Sequence, residues 1–335
     1  MTHRLSPPRL ALAGVALVTI VTTAACSVGN AQPLPASPAG RVYVTNEGSN
    51  SLSVIDIATS KVLATVKTGE SPHHLALTPD GKQLWLTLNK GNAAQIFDPD
   101  TLREIGSVDL GEPSDGLAID RAGQRAYLTL GKGNAVAVVD MPARKVVSKI
   151  AVGKTPHGVA VSPDGRKVYV TNTEDNTVSV VDPAAGQVVK TIRVGGNPYE
   201  VLFSPDGRLA WVSNYLTNTM SVIDTATDEV AGTVPVGRQP TMMALTPGAD
   251  ALWVTNQGSN SVSVLVTTAQ REDNRIATAR QSHGIAFSPD GRRAYVSNTG
   301  ADNVSVVDTT TGDVVETIGV GTRPNGVAVR PGNGS

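Results

Sequence analysis

The stretch HGVAVSPDGRKVYVTN at residues 157–172 decides the fold, because it is one copy of a unit that recurs along the chain. One position of this unit, which we call a phase of the repeat, is aromatic in all seven copies. The seven residues are spaced 42 residues apart and are Tyr43, Trp85, Tyr127, Tyr169, Trp211, Trp253 and Tyr295. Repeats of about 40–45 residues are typical of the blades of β-propellers. The repeat therefore sets both the number and the size of the structural units.

Each unit contains four short segments in which apolar and polar residues alternate, which is the pattern of half-buried strands. In one copy these segments are HGVAVS (157–162), KVYVTN (167–172), TVSVVD (177–182) and QVVKTIRVG (187–195). A Pro-Asp-Gly turn follows the first segment and reverses the chain. We therefore predict an all-β protein, a seven-bladed β-propeller of 42-residue, four-stranded blades.

The repeat region begins and ends at different strands of the unit. The first unit begins with a second strand, RVYVTN (41–46), and the last ends with a first strand, NGVAVR (325–330). We expect three N-terminal strands and one C-terminal strand to share a blade and close the ring, which removes the open sheet edges. The predicted propeller spans residues 41–335.

The amino-acid sequence of the repeat resembles that of a known family. The tetrapeptides at 43–46, 169–172 and 295–298 are similar to the YVTN family of β-propeller repeats, as are the Ser/Thr-Pro-Asp-Gly turns at 78–81, 162–165, 204–207 and 288–291. The similarity covers residues 41 to about 331. It implies an exported or surface propeller and leaves the activity open, because a fold does not dictate chemistry.

The composition excludes several classes of protein. The 335 residues carry a formal net charge of −1, so we expect no nucleic-acid partner. The single cysteine excludes an internal disulfide framework and a multi-cysteine metal cage. Sequence motifs of serine hydrolases, zinc proteases and phosphate-binding loops are absent from the chain.

The N-terminus has the features of a secretory signal. A basic start precedes Leu10–Ala25, which is uncharged and shorter than the ~20 residues that span a bilayer. Cys26 follows Thr23-Ala24-Ala25, which resembles the bacterial lipobox. We predict a signal peptide (1–25), then a lipidated Cys26 with a flexible tether (26–40). The protein would then be an extracytoplasmic monomer anchored to the membrane, and the alternative is a secreted protein with a free thiol.

Two phases of the repeat differ between copies at the mouth of the predicted channel, on the face opposite the Pro-Asp-Gly turns. The first phase reads His73, Asp115, His157, Tyr199, Thr241, His283 and Asn325, and the second reads His74, Gly116, Gly158, Glu200, Met242, Gly284 and Gly326. Because variation is concentrated there, we predict a ligand or partner face at His73, His74, Asp115, His157, Tyr199, Glu200, Tyr215, Met242, His283 and Asn325. We also expect Leu216, Met220 and Met242 beside Tyr199 and Tyr215, in an apolar patch.

The histidines at this mouth suggest a metal site. Three imidazoles and a carboxylate, from His73, Asp115, His157 and His283, could ligate a divalent metal ion. The alternative is a polar mouth whose side chains satisfy backbone groups and water.

The leading hypothesis for the function is a membrane-tethered module that binds a small ligand or an envelope protein. The alternatives are a metal-assisted hydrolase or lyase of the lactonase type, with Glu200 as a base, and a purely structural envelope protein.

Overall fold

The structure is a computed structural model that describes residues 1–2 and 33–332. The predicted signal peptide beyond residue 2, Cys26 and the first part of the predicted tether lie outside the described residues. Within residues 1–2 and 33–332, the structure contains no helical segment that could span a bilayer.

Seven four-stranded antiparallel sheets form the blades of a closed propeller. Blade 1 contains β1 (Arg41–Asn46), β2 (Ser51–Asp56), β3 (Val62–Lys67) and β28 (Pro324–Arg330). Blade 2 contains β4 (Pro72–Leu77), β5 (Leu84–Leu88), β6 (Ala93–Phe97) and β7 (Glu104–Asp109). Blade 3 contains β8 (Leu117–Ile119), β9 (Arg125–Leu130), β10 (Ala135–Asp140) and β11 (Lys145–Ala151). Blade 4 contains β12 (Pro156–Val161), β13 (Val168–Asn172), β14 (Thr177–Asp182) and β15 (Gln187–Arg193).

The remaining three blades repeat the same order of strands. Blade 5 contains β16 (Pro198–Phe203), β17 (Leu209–Asn214), β18 (Thr219–Asp224) and β19 (Glu229–Pro235). Blade 6 contains β20 (Pro240–Leu245), β21 (Ala251–Asn256), a short 3₁₀ helix (Gln257–Ser259), β22 (Ser261–Val266) and β23 (Arg271–Ala277). Blade 7 contains β24 (Ser282–Phe287), β25 (Arg293–Asn298), β26 (Asn303–Asp308) and β27 (Val314–Gly319). The predicted fold class, blade number and blade size are confirmed.

The ring is closed by the two ends of the chain, as predicted. The strand order in blade 1 is β28-β1-β2-β3, and Val42 of β1 pairs with Val329 of β28. The side chains of Arg41 and Arg330 both donate to Asp100 Oδ1 in blade 2, at 2.7 Å and 2.6 Å. These bonds join the closing strands to the neighbouring blade.

The segment before β1 also contacts the ring. The backbone N–H of Leu34 donates to the carbonyl of Asp100 at 2.8 Å, and the Leu34 side chain packs on the apolar cluster between blades 1 and 2. The guanidinium of Arg41 donates to the carbonyl of Pro35 at 2.9 Å. The end of the segment predicted as a tether is therefore held on the propeller.

The core lies between the blades. The seven aromatic residues that mark the repeat are all buried, with exposed fractions of 3 % or less. Trp85 packs with the apolar side chains of blades 2 and 3, and the equivalent residue of each unit occupies the equivalent interface. Truncating a buried aromatic side chain of this kind to alanine typically destabilises a fold by about 3–5 kcal/mol. Packing of sheet against sheet thus holds the inner strands, and the channel mouth, in place.

Candidate metal and ligand site at the channel mouth

A β-bulge at the start of the innermost strand turns two consecutive side chains toward the channel. In blade 2 the pairing passes from Pro72 opposite Leu88 to Leu75 opposite Leu86, so that residues 73 and 74 lie outside the regular ladder. The same irregularity occurs in blades 4, 5, 6 and 7. Bulges of this kind re-aim side chains. We call the residues of the first phase the first ring and those of the second phase the second ring.

Seven hydroxyl groups hold these rings together. Thr129 Oγ1 accepts the backbone N–H of Gly116 in its own blade at 2.7 Å and donates to the carbonyl of His157 in the next blade at 2.8 Å. The same pair of bonds is made in every blade, by the hydroxyl belt of Thr45, Thr87, Thr129, Thr171, Ser213, Thr255 and Ser297. The belt thus fixes the backbone from which every side chain of the mouth projects.

Three of the four predicted metal ligands converge in the first ring. One side-chain donor atom from each of His73, Asp115 and His157 lies within 4.8 Å of the other two. The imidazoles of His73 and His157 meet edge to face, with ring centroids 5.5 Å apart. Two imidazoles and one carboxylate form a ligand set that suits first-row divalent metals and leaves coordination positions open.

Two further contacts orient these ligands. Asn89 Nδ2 donates to Asp115 Oδ1 at 2.5 Å, which holds the carboxylate. His157 Nδ1 lies 3.1 Å from the carbonyl of Tyr199, and only a protonated Nδ1 can donate there. The lone pair of the His157 ring is then on Nε2. This is the usual way in which a metal-binding histidine is fixed by its other nitrogen.

The fourth predicted ligand, His283, has a different partner. The first-ring cluster of potential ligand atoms does not include it, and the Tyr199 hydroxyl lies 2.9 Å from its Nε2. Its ring centroid lies 6.0 Å from that of His73. His283 therefore borders the metal cluster and positions the tyrosine beside it.

The predicted aromatic patch is present only in part. The rings of Tyr199 and Tyr215 are stacked with centroids 5.9 Å apart, and Leu216 is 66 % exposed at the rim. The prediction for Met220 is wrong, because this side chain is fully buried between blades 5 and 6, next to Trp211. Met242 is half-buried against the apolar cluster of Trp253.

The second ring is mostly glycine. A Cβ atom at Gly158 would lie 2.6 Å from the carbonyl oxygen of Tyr199, and one at Gly326 would lie 2.7 Å from that of His73. The inner strands of adjacent blades thus approach each other too closely for a side chain at these positions. Of its three larger members, His74 and Glu200 meet across the channel with 3.6 Å between Nε2 and Oε2.

Burial keeps most ionisable groups of the mouth neutral. Burial lowers the pKa of His157 to about 4, although the nearby Asp115 carboxylate acts in the opposite direction. Burial, together with the neighbouring imidazoles, also holds the pKa values of His74 and His283 well below the usual range. Burial raises the pKa of Glu200 to about 8. Neutral imidazoles are the form that binds metal ions, so protons do not compete for these rings at neutral pH.

The remaining predicted residues lie at the rim or in the wall of the mouth. The Tyr215 hydroxyl donates to Gln257 Oε1 at 3.1 Å, and the Asn325 side chain is buried in the first ring. The ring residues were predicted from their positions in the repeat, whereas Asn89 and the hydroxyl belt were not. The signal for the belt was present in the third position of the YVTN-like motif, which is Thr or Ser in all seven copies.

The fold and the mouth together define a seven-bladed propeller with a histidine-lined channel that is suited to binding a metal ion. The chain belongs to the family described as Cytochrome D1 heme domain, a β-propeller family, which it matches over residues 126–329, more than half of its length. The narrower YVTN resemblance stays a prediction.

Solved structures share this fold at low sequence identity. Periplasmic gluconolactonase PpgL of Pseudomonas aeruginosa is 21% identical with a TM-score of 0.72, and the match covers 87% of this chain and 98% of that one. Hydrazine synthase of Kuenenia stuttgartiensis is 20% identical with a TM-score of 0.69, over 79% and 96% of the two chains. Dihydro-heme d1 dehydrogenase NirN is 16% identical with a TM-score of 0.70, over 89% and 77%.

A local sequence match was also found. PE-PGRS family protein PE_PGRS18 of Mycobacterium tuberculosis is 44% identical over 43 residues, which are 13% of this chain and 9% of that protein. The match thus spans less than a tenth of the length of that relative.

The family name raises the question of whether the mouth fits a haem. The His73 ring lies 5.5 Å from that of His157 and 6.0 Å from that of His283, measured between centroids, so the imidazoles of three blades fill the channel. A macrocycle of four pyrrole rings cannot lie among them. The ring positions also supply no lysine or arginine for the carboxylates of a haem. These residues fit a single metal ion and do not fit a haem held inside the channel.

Proposed function

We propose that the protein is an exported propeller that binds one divalent transition-metal ion at His73, Asp115 and His157. The metal-loaded mouth then binds a small ligand with an oxygen donor. Export is supported by the signal-like N-terminus and by the similarity of the fold to a gluconolactonase described as periplasmic. The lipid anchor on Cys26, a monomeric state and an envelope protein as partner are parts of the same proposal.

One observation carries this proposal. The three ligand atoms converge while their supporting contacts, from Asn89 to Asp115 and from His157 to the Tyr199 carbonyl, are already in place. A polar mouth that only satisfied backbone groups would not need this arrangement, because the hydroxyl belt already supplies those bonds. Three protein ligands leave room at a tetrahedral ion for one exogenous ligand.

The test is metal binding by purified protein. After removal of metal with a chelator, Zn²⁺ or Co²⁺ is titrated and the affinity is measured by calorimetry. We expect Asp115→Asn and His157→Gln to weaken binding at least 100-fold. Glu174→Gln, at an exposed surface position, is the control and keeps the affinity of the wild type. Equal affinity in all four proteins would overturn the proposal.

A second candidate function is metal-assisted opening of a lactone. The observation that favours it is the set of three potential ligands, His73, Asp115 and His157. A metal ion held by these three residues would keep a position for a water molecule, and it would supply activation of that water and stabilisation of an oxyanion. The similar fold of a gluconolactonase supports the same substrate class. Because burial raises the pKa of Glu200 to about 8, this residue holds a proton at neutral pH and would act as an acid rather than as the predicted base.

Lactone hydrolysis by the metal-loaded protein tests this candidate. An aldonolactone is followed in weak buffer with a pH indicator, with and without added Zn²⁺. Turnover that requires the metal and is lost in His157→Gln supports the enzyme. Metal binding without turnover supports the binding module alone.

A further inference from the structure

Two buried side chains of the second ring face each other with atoms that could bind a metal ion. His74 projects from blade 2 and Glu200 from blade 5, and each residue is only 7 % exposed. His74 Nε2 and Glu200 Oε2 have no hydrogen-bond partner among the described residues. Buried polar atoms of native proteins are nearly always paired, so two orphaned atoms that face each other point to a missing group between them.

Their separation indicates what kind of group is missing. The distance of 3.6 Å between Nε2 and Oε2 is longer than the 2.7–3.2 Å of a direct hydrogen bond. Two ligands bound about 2.1 Å from one tetrahedral ion lie about 3.4 Å apart. The observed spacing therefore fits two ligands of one ion better than it fits a direct hydrogen bond.

The electrostatic surroundings favour a cation. Within residues 33–332, no lysine or arginine forms an ion pair with Glu200. An ionised Glu200 would thus be a buried and uncompensated charge, which is strongly unfavourable unless a cation joins it.

We propose that His74 and Glu200 bind a second divalent metal ion in the channel, separate from the ion of the first ring. Imidazole and carboxylate donors suit Zn²⁺, Mn²⁺ and Fe²⁺. Gly116 and Gly326 flank His74 in the second ring and Gly158 flanks Glu200, so these neighbours supply no side-chain ligand and water would complete the coordination. The site shares no ligand with the first ring, although the rings of His73 and His74 stack with centroids 5.2 Å apart.

Metal stoichiometry tests this proposal separately from the proposed function. Apo protein is dialysed against Zn²⁺, and bound metal per chain is measured by elemental analysis. We expect two ions in the wild type, one in Glu200→Gln, one in His157→Gln and none in the double variant. Glu174→Gln, the same change at an exposed surface position, is the control and retains two ions, and circular dichroism checks that each variant is folded.

The possible outcomes separate the two sites. One ion in both the wild type and Glu200→Gln overturns the second site and means that the pair shares only a proton. One ion in the wild type that is lost in Glu200→Gln and kept in His157→Gln supports the second site and overturns the first. No bound metal in the wild type overturns both. Because glutamine has the shape of glutamate, a folding defect in this variant is unexpected, and His74→Asn gives an independent check of the same site.

Discussion

The Thr129 hydroxyl donates to the backbone carbonyl of His157, 28 residues further along the chain and one blade further around the ring, at 2.8 Å. The same oxygen accepts the N–H of Gly116. The Thr129 side chain thus joins Gly116, in the second ring of blade 3, to His157, in the first ring of blade 4. The position of a proposed metal ligand therefore depends on a threonine that does not touch the metal.

Replacing this hydroxyl tests that dependence. We expect Thr129→Val to lower the free energy of unfolding by about 2–3 kcal/mol, because two hydrogen bonds are lost and two buried backbone groups stay unpaired. Urea denaturation measures this loss. Thr227→Val is the control, since Thr227 is exposed on a turn, and it should change stability by less than about 0.5 kcal/mol. Equal effects at the two positions would contradict a special role for the belt.

Asn89 is expected to control metal affinity through Asp115. Its amide holds the carboxylate, so Asn89→Ala should weaken Zn²⁺ binding by about 10–100-fold, the usual effect of removing a partner of a metal ligand. Calorimetric titration at fixed pH measures the change. Unchanged affinity in Asn89→Ala, with binding lost in Asp115→Asn, would mean that the carboxylate needs no such support.

Glu200 should make the metal-free protein less stable as the pH rises. Its pKa is about 8 in the folded state and about 4.5 when unfolded, so between these values the folded state holds the extra proton. The resulting stabilisation is complete below about pH 4.5 and is lost by about pH 8. Glu200→Gln removes this dependence, because an amide does not titrate in this range.

Chemical denaturation in a chelating buffer measures the effect. The stability of Glu200→Gln relative to the wild type should increase between pH 5 and pH 8, by up to ~4 kcal/mol at about 1.4 kcal/mol per pH unit. Glu174→Gln, on the surface, is the control and should show no such trend. A difference between Glu200→Gln and the wild type that is independent of pH would show that Glu200 is ionised throughout this range.

Removing the last strand should open the ring. A chain ending at residue 322 lacks β28 and exposes the edge of β1, where Val42 and its neighbours pair in the intact protein. Unpaired edges of apolar strands associate with other chains. We expect this variant to elute as oligomers or aggregates in size-exclusion chromatography, whereas a chain that lacks only residues 333–335 elutes like the wild type. A monomeric, cooperatively unfolding variant without β28 would show that closure is dispensable.

The absence of space for a macrocycle predicts weak haem binding. Addition of haemin to the purified protein should give no saturable Soret shift at one equivalent, because three imidazoles already fill the channel. The control is a haem-binding protein measured under the same conditions. A stoichiometric shift that is abolished in His73→Ala would show that the mouth rearranges to ligate haem.

The blades were predictable because a constant repeat forces equivalent residues into equivalent places. The aromatic phase alone placed Trp85 and Tyr295 between blades, and the phase of the two ends predicted the closing strand. The two rings followed from the same argument. Their convergence in the channel depended in addition on the bulge at residues 73–74, which the alternation of apolar residues does not reveal.

Side-chain contacts across the channel could not be predicted from the positions of residues in the repeat. The pairing of His283 with Tyr199 depends on side-chain rotamers and on the distance between blades 5 and 7, and neither leaves a mark in the sequence. The same holds for the contact between His74 and Glu200. The error at Met220 is different in kind, since this residue alternates in phase with Val222 and its strand pattern already indicated the core.

The glycines of the second ring limit where new chemistry can enter this channel. At Gly116, Gly158, Gly284 and Gly326 the carbonyl of the next blade occupies the space of any side chain. Variation at that level is restricted to positions 74, 200 and 242, where side chains already stand. A directed library that aims to change what the protein recognises would therefore sample those three codons and leave the other four untouched.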